Sequence, residues 1–119
     1  MTTKSSVNHT RWKAARERKT AEGYTEPAEV TARRAEISLA IDLGQLVYDR
    51  RTALGLSQAD LAERAAMSQR QISKVEGGGT VPTLPLLARL AEALDASWNI
   101  AIDSGEATVT LTPHTHAAA

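Results

Sequence analysis

A chain of 119 residues with 14 basic and 14 acidic side chains, no cysteine and no phenylalanine has room for one domain with tails, its interior built from aliphatic side chains. The absence of thiols excludes disulfide frameworks, thiolate metal sites and cysteine nucleophiles. No apolar run approaches the ~20 residues of a membrane span and the N-terminus lacks the apolar core of a signal peptide, so a cytoplasmic protein is expected.

Zero net charge is a poor start for a phosphate binder, but the charge is unevenly spread. Lys4, Arg11, Lys13, Arg16, Arg18 and Lys19 face only Glu17 within residues 1–19, which leaves the remainder acidic and makes weak, salt-sensitive non-specific nucleic-acid binding the expectation. Trp12 and Tyr24 are the sizeable apolar groups of this stretch. It has too little apolar surface to offset its ordering entropy, and a mobile segment with a nascent helix over residues 10–21, ending at Gly23, is expected.

Thr25-Glu26-Pro27 reads as a helix start. The pattern then stays helical to about Leu54, with Val30, Ile37, Ile41, Leu43, Val47 and Leu54 as most of an apolar stripe. Gly44 is a candidate break and Gly55 the C′ stop. Next, one signal occurs twice, eleven positions apart: Leu56-Ser57-Gln58-Ala59-Asp60-Leu61 and Met67-Ser68-Gln69-Arg70-Gln71-Ile72. Each copy has a Ser N-cap, an Asp or Gln at N3 to reach back, and an apolar N′ residue to staple onto an apolar N4 residue. Two short helices, Gln58 to Ala65 and Gln69 to Glu76, must therefore meet at a sharp turn over Ala66 to Ser68. That is a helix-turn-helix, a shape that fits the DNA major groove.

After a loop over Gly77-Gly78-Gly79, Thr83 caps a further helix to about Leu94, with Leu84, Leu87, Leu90, Ala91 and Leu94 as its stripe. Beyond Asp95 the period becomes that of a strand: Trp98, Ile100 and Ile102 alternate with polar or small residues, as do Ala107, Val109 and Leu111. Asp103-Ser104-Gly105-Glu106 is the turn between them. Two lone strands are marginal in water, so this ribbon must lie on the helices or pair with a second chain. A loose tail is expected from Pro113.

In the second motif helix Ile72 and Val75 face inward, which leaves Gln69, Arg70, Ser73 and Lys74 outward. Helix N-terminal amides suit phosphates, and Gln and Arg at the first positions can read base edges. The duller alternative is an ordinary solvated helix face. On these residues, residues 43–94 resemble the helix-turn-helix domain of the phage-repressor-like (XRE) family, through Gly55-Leu56-Ser57-Gln58, Leu61-Ala62, Ser68-Gln69, Ile72-Ser73-Lys74-Val75-Glu76 and Pro82-Thr83-Leu84. The resemblance implies that Gln58 caps its helix at a phosphate and braces Gln69, that Gln69 touches bases, that Arg70 and Lys74 face the groove, and that the loop from Gly77 to Thr80 approaches the backbone. It also implies an ion pair between Arg51 and Glu76 as scaffold. Two positions depart from the family: Ala66 stands in place of a turn glycine, and Arg50 in place of an apolar residue, as if that face met solvent or a partner.

A strand such as Trp98 to Ile102 after a compact domain is similar to HigA-type and HipB-type antitoxins, in which strands can pair across a dimer and flexible extensions contact a toxin. The fold class expected is thus mainly α: a five-helix repressor-like domain with an N-terminal helical extension and a short C-terminal β-strand or hairpin. Its parts are a basic segment over 1–35, the helix-turn-helix domain over 36–96, a dimerisation element over 97–112 and a tail over 113–119. DNA contacts are expected from Gln58, Ser68, Gln69, Arg70, Ser73, Lys74 and Thr80, and dimer contacts from Trp98, Ile100 and Ile102. Arg11, Trp12, Arg16, Lys19 and Tyr24 would meet a toxin; a DNA arm or a plain solubilising tail remain open for that segment.

The function implied is an antitoxin that represses its own operon from a palindromic operator and neutralises a toxin, with a stand-alone regulator or a DNA-free interaction module as alternatives. No arranged nucleophile, carboxylate pair or phosphate loop supports an enzyme. No cofactor is expected, and His114 and His116 lack the companions of a metal site.

Overall fold

The computed structural model describes residues 26–116, and among them there are four helices and one two-stranded antiparallel sheet. The order is α1 (Ala28–Ala53), α2 (Gln58–Ala65), α3 (Gln69–Glu76), α4 (Leu84–Ala93), β1 (Ala96–Asp103) and β2 (Glu106–Pro113). The expected five helices are therefore corrected to four. Residues 28–53 are one continuous helix of 26 residues, and the boundary drawn at residues 35 and 36 falls inside it; the nascent helix expected over residues 10–21 lies outside the described residues. Pro27 is its N-cap residue, with φ already near −58°, a conformation proline supplies without cost. Thr25 lies outside the described residues.

Gly44 does not break α1. It is the point of closest approach to α3, where a Cβ would lie 2.4 Å from the Val75 carbonyl oxygen and 2.8 Å from that of Glu76. The helix ends in a Schellman motif, with Gly55 at φ +73° and bonds from Gly55 N to Thr52 O and from Leu56 N to Arg51 O, as the glycine there predicts.

The core gathers Leu43, Leu46 and Val47 of α1, Leu61 of α2, Ile72 and Val75 of α3, Leu87 and Leu90 of α4, Leu94 and, from β2, Val109 and Leu111. The stripe expected on α1 was partly on the wrong side: Val30 and Ile37 are exposed, and the inward positions are Leu39, Leu43, Leu46 and Val47. Leu84 likewise stands 78% exposed at the start of α4. Both errors have one cause. Apolar residues occur on more than one side of these helices, and which side is buried depends on what packs there.

The hairpin lies on the helices. Its register pairs Asp103 with Glu106 and Trp98 with Leu111, and the two turn residues, Ser104 and Gly105, both have positive φ, the geometry of a type I′ turn matched to strand twist. β2 turns Ala107, Val109 and Leu111 onto α1. β1 rests on α4, where the Trp98 indole N–H donates to the Leu87 carbonyl at 2.9 Å. In this register the N–H and C=O groups of Trp98, Ile100 and Ile102 point away from β2, along the free edge of β1. Trp98 and Ile100 pack against the core of their own chain, and Ile102 is 77% exposed.

Arg50, expected to meet solvent or a partner, is partly buried against its own chain. Its guanidinium caps the C-terminal end of α4, donating to the carbonyls of Leu94 at 2.8 Å and Asp95 at 3.3 Å, a placement the helix dipole favours. Residues 113–116, expected as the start of the tail, return to the same corner. His114 N bonds Asp95 O, and the rings of His114 and His116 contact the two Asp95 carboxylate oxygens at 3.0 and 2.5 Å. These contacts, that of His116 first, hold the Asp95 carboxyl below its ordinary pKa.

Because the methyl group has no space against two backbone carbonyls, Gly44→Ala should cost about 1–3 kcal/mol by forcing α1 and α3 apart. Urea denaturation of the full chain measures it, and an unchanged midpoint would contradict the close approach.

Candidate nucleic-acid interface

Each motif helix starts where its serine can satisfy a backbone donor. Ser57 Oγ accepts from Asp60 N while Ser57 N donates to the Asp60 carboxylate, both at 3.0 Å. Ser68 Oγ accepts from Gln71 N at 3.1 Å while Ser68 N donates to Gln71 Oε1 at 2.8 Å. Both are complete capping boxes. The bonds with Ser57 also hold the Asp60 carboxyl below its ordinary pKa, so it stays charged at the positive end of α2.

Between them the chain reverses in three residues. Ala66 is left-handed, φ +54° and ψ +45°, with Met67 N bonded to Ala62 O at 2.9 Å. The alanine in this glycine-like position costs roughly 1 kcal/mol. Met67 is buried and serves twice, closing the end of α2 and stapling onto the fully buried Ile72. Arg89 of α4 adds a long bond, 3.4 Å, to the Ala66 carbonyl; nothing in the sequence pattern singled it out.

The orientation of α3 is set from its other end. Arg51 presents Nε and Nη2 to the two Glu76 carboxylate oxygens at 2.6 and 3.0 Å, and its Nη1 donates to the Leu56 carbonyl at 2.8 Å. Gln58 Nε2 donates to Glu76 Oε1 at 3.1 Å. The bond to Glu76 pushes the Arg51 pKa further up, against the opposing effect of burial. Arg51 also lies over the Tyr48 ring, 5.2 Å from its centre. Three helices and the α1–α2 turn are thereby tied at one carboxylate.

The outer face of α3 is what this frame presents. Ile72 and Val75 are buried, and Gln69, Arg70, Ser73 and Lys74 are exposed together on the opposite side. Glu76, the one acid of α3, is balanced by Arg51, so the exposed face carries Arg70 and Lys74 without an opposing charge of its own helix. Of the other expected DNA contacts, Ser68 is spent on its cap, Gln58 is half-buried against Glu76, and Thr80 is half-buried in the loop after α3, its hydroxyl near the Val81 carbonyl. The bond recorded for Gln58 goes to Glu76, where the resemblance implied Gln69. Arg11, Trp12, Arg16, Lys19 and Tyr24 lie outside the described residues. Among the described residues no group of three His, Cys, Asp or Glu side chains could hold a metal ion, and no helix is long and apolar enough to cross a membrane.

Comparison with known proteins agrees with this geometry: residues 42–98 match a family model described as a helix-turn-helix domain. Among solved structures, the restriction-modification controller protein C.AhdI from Aeromonas hydrophila is 36% identical over 47% of this chain and 85% of its own, with a TM-score of 0.46. The wild-type restriction-modification controller protein C.Esp1396I is 24% identical over 50% of this chain and 77% of its own, with a TM-score of 0.47. No curated protein matches the chain.

Removing one member of the buried pair strands the other. Glu76→Ala should cost about 3–5 kcal/mol, whereas an apolar replacement of both, Arg51→Met with Glu76→Leu, should cost far less. Urea denaturation of the three proteins compares them, and equal losses in the single and double variants would refute the reading.

Proposed function

We propose that this chain, whose residues 42–98 match a family model described as a helix-turn-helix domain, is a sequence-specific transcriptional regulator that acts as a homodimer on a palindromic operator. One observation carries the reading: α3 is held rigidly at both ends while Gln69, Arg70, Ser73 and Lys74 stand exposed on one face. Gln69 and Arg70, at the helix start, read base edges; Lys74 and the amides at the start of α2 and α3 hold phosphates. Gln58 and Ser68 position these groups, and Thr80 lies in the loop nearest the backbone.

Dimerisation addresses the modest charge, since two weak half-site contacts in one rigid frame gain effective concentration. The free edge of β1, with the backbone of Trp98, Ile100 and Ile102, is the surface we assign to it. An exposed strand edge is a template for pairing, and two such edges would form a four-stranded sheet. The two recognition helices would then enter successive major grooves about 34 Å apart.

Operator selection from random duplexes, followed by titration, tests this. Gln69→Ala and Arg70→Ala should each lose about 1–3 kcal/mol and relax specificity at particular positions, while Lys74→Ala should weaken all sequences evenly and lower the salt slope by about one. Ile102→Lys should shift the sedimenting species from twice 12.8 kDa towards 12.8 kDa and weaken operator binding. A chain that selects no sequence would leave the DNA-free interaction module.

A second reading makes the same regulator an antitoxin. Its support is Trp12 set among Arg11, Arg16 and Lys19, with Tyr24 beyond, an aromatic anchor amid cations suited to an acidic protein surface. Expression of the adjacent reading frame alone, with the full chain, and with a full chain carrying Trp12→Ala and Arg16→Ala decides it. Toxicity relieved by the first chain but not the second is the expected result of an antitoxin, and a harmless neighbour leaves the stand-alone regulator.

A further inference from the structure

On the side of α1 turned away from α3 there is an open groove of about 320 Å³. Ala32, Ala35 and Leu39 form its floor, Val81 closes one end, and Ile102 and Ala107 of the hairpin form a wall. Ile102 is 77% exposed at this wall, where an apolar side chain of that size gains by being covered. Gly105, Glu36 and Glu106 complete the lining, and Glu29 lies two turns before Glu36 on the same helix face with Arg33 between them.

We propose that this groove is the docking site, in cis, for the chain's own N-terminal segment, with the Trp12 indole covering Ile102 and the α1 floor and the flanking Arg11, Lys13 and Arg16 meeting the acidic rim. The inference goes beyond the regulatory reading and does not rest on it.

Three features of the molecule select this occupant. Residues 1–25 join the described chain at Glu26, beside the end of α1 where the groove begins. Ala32 to Leu39 lie about 8–18 Å along α1 from Pro27, at ~1.5 Å per residue. A chain of the length that separates Trp12 from Pro27 spans about 20 Å when flexible, so the reach is sufficient. The charge is complementary, six cations against one anion over residues 1–19 facing three carboxylates, Glu29, Glu36 and Glu106, with one cation, Arg33, among them. Tethering also supplies an effective concentration of the order of millimolar, enough for a site of one aromatic side chain and a few screened charges. Any protein that takes Trp12 must then displace it from this groove, so the segment's availability is set by the domain that carries it.

The absence of native cysteine permits a direct test on the full chain. A nitroxide on Ala15→Cys should remove most of the NMR signal of the Ala32, Ala35, Leu39 and Ala107 methyl groups while leaving those of Ala62 and Ile72 near full intensity. The effect should vanish with Trp12→Ser, should vanish with Ala32→Arg, which places a cation on an exposed helix position of the floor, and should shrink as salt is raised. Intact Ala62 and Ile72 shifts in the variants report that the fold is kept. Undiminished groove signals would overturn the proposal. So would broadening seen equally when the spin label and the isotope label are on different chains, which would assign the groove to the segment of a second copy.

Discussion

The carboxylate of Glu76 is the point on which the arrangement depends. It takes two bonds from Arg51 of α1 and one from Gln58 of α2, and the same guanidinium holds the Leu56 carbonyl in the turn between those helices. A pair so buried is not a large source of stability, because the desolvation of both ions offsets most of their attraction. Its contribution is geometric: a bidentate guanidinium–carboxylate contact tolerates little rotation, so the C-terminal end of α3 can sit in one place only. Gly44 makes the contact possible, since only a residue without Cβ lets α1 come close enough to the last carbonyls of α3.

With that end fixed, the other end of α3 is set by Ser68 and by the turn at Ala66, and the recognition face needs no further support. The chain accepts a left-handed alanine there rather than displace Met67, which closes one helix and opens the next. Strain of about 1 kcal/mol is offset by a side chain buried between α2 and α3.

The hairpin and α4 form a second corner, tied by Arg50, Asp95, Trp98 and the imidazoles of His114 and His116. It braces the face of α1 opposite α3. The molecule therefore presents two separate surfaces, the exposed side of α3 and the strand edge with its adjoining groove, on either side of one long helix. Each surface can be occupied without moving the other.

The motif helices were legible from residues 56–72 alone because capping is local: a serine, its N3 partner and the flanking apolar pair all lie within one turn, and the chemistry that starts the helix is written next to it. The hairpin turn was legible for the same reason, Ser104-Gly105 being suited to positive φ. The number of helices was not, since Gly44 reads as a break until α3 is placed against it. Nor were the buried sides of α1 and α4, where Leu46 is enclosed while Ile37 and Leu84 are left out. Arg50 stood out but its role did not, and Arg89 gave no signal, because each finds its carbonyl more than twenty residues away. The sequence by itself determined where helices begin, where the chain reverses and which side chains α3 can offer; tertiary structure decided which faces are buried and which distant groups meet, because those depend on approach between segments that the local chain does not encode.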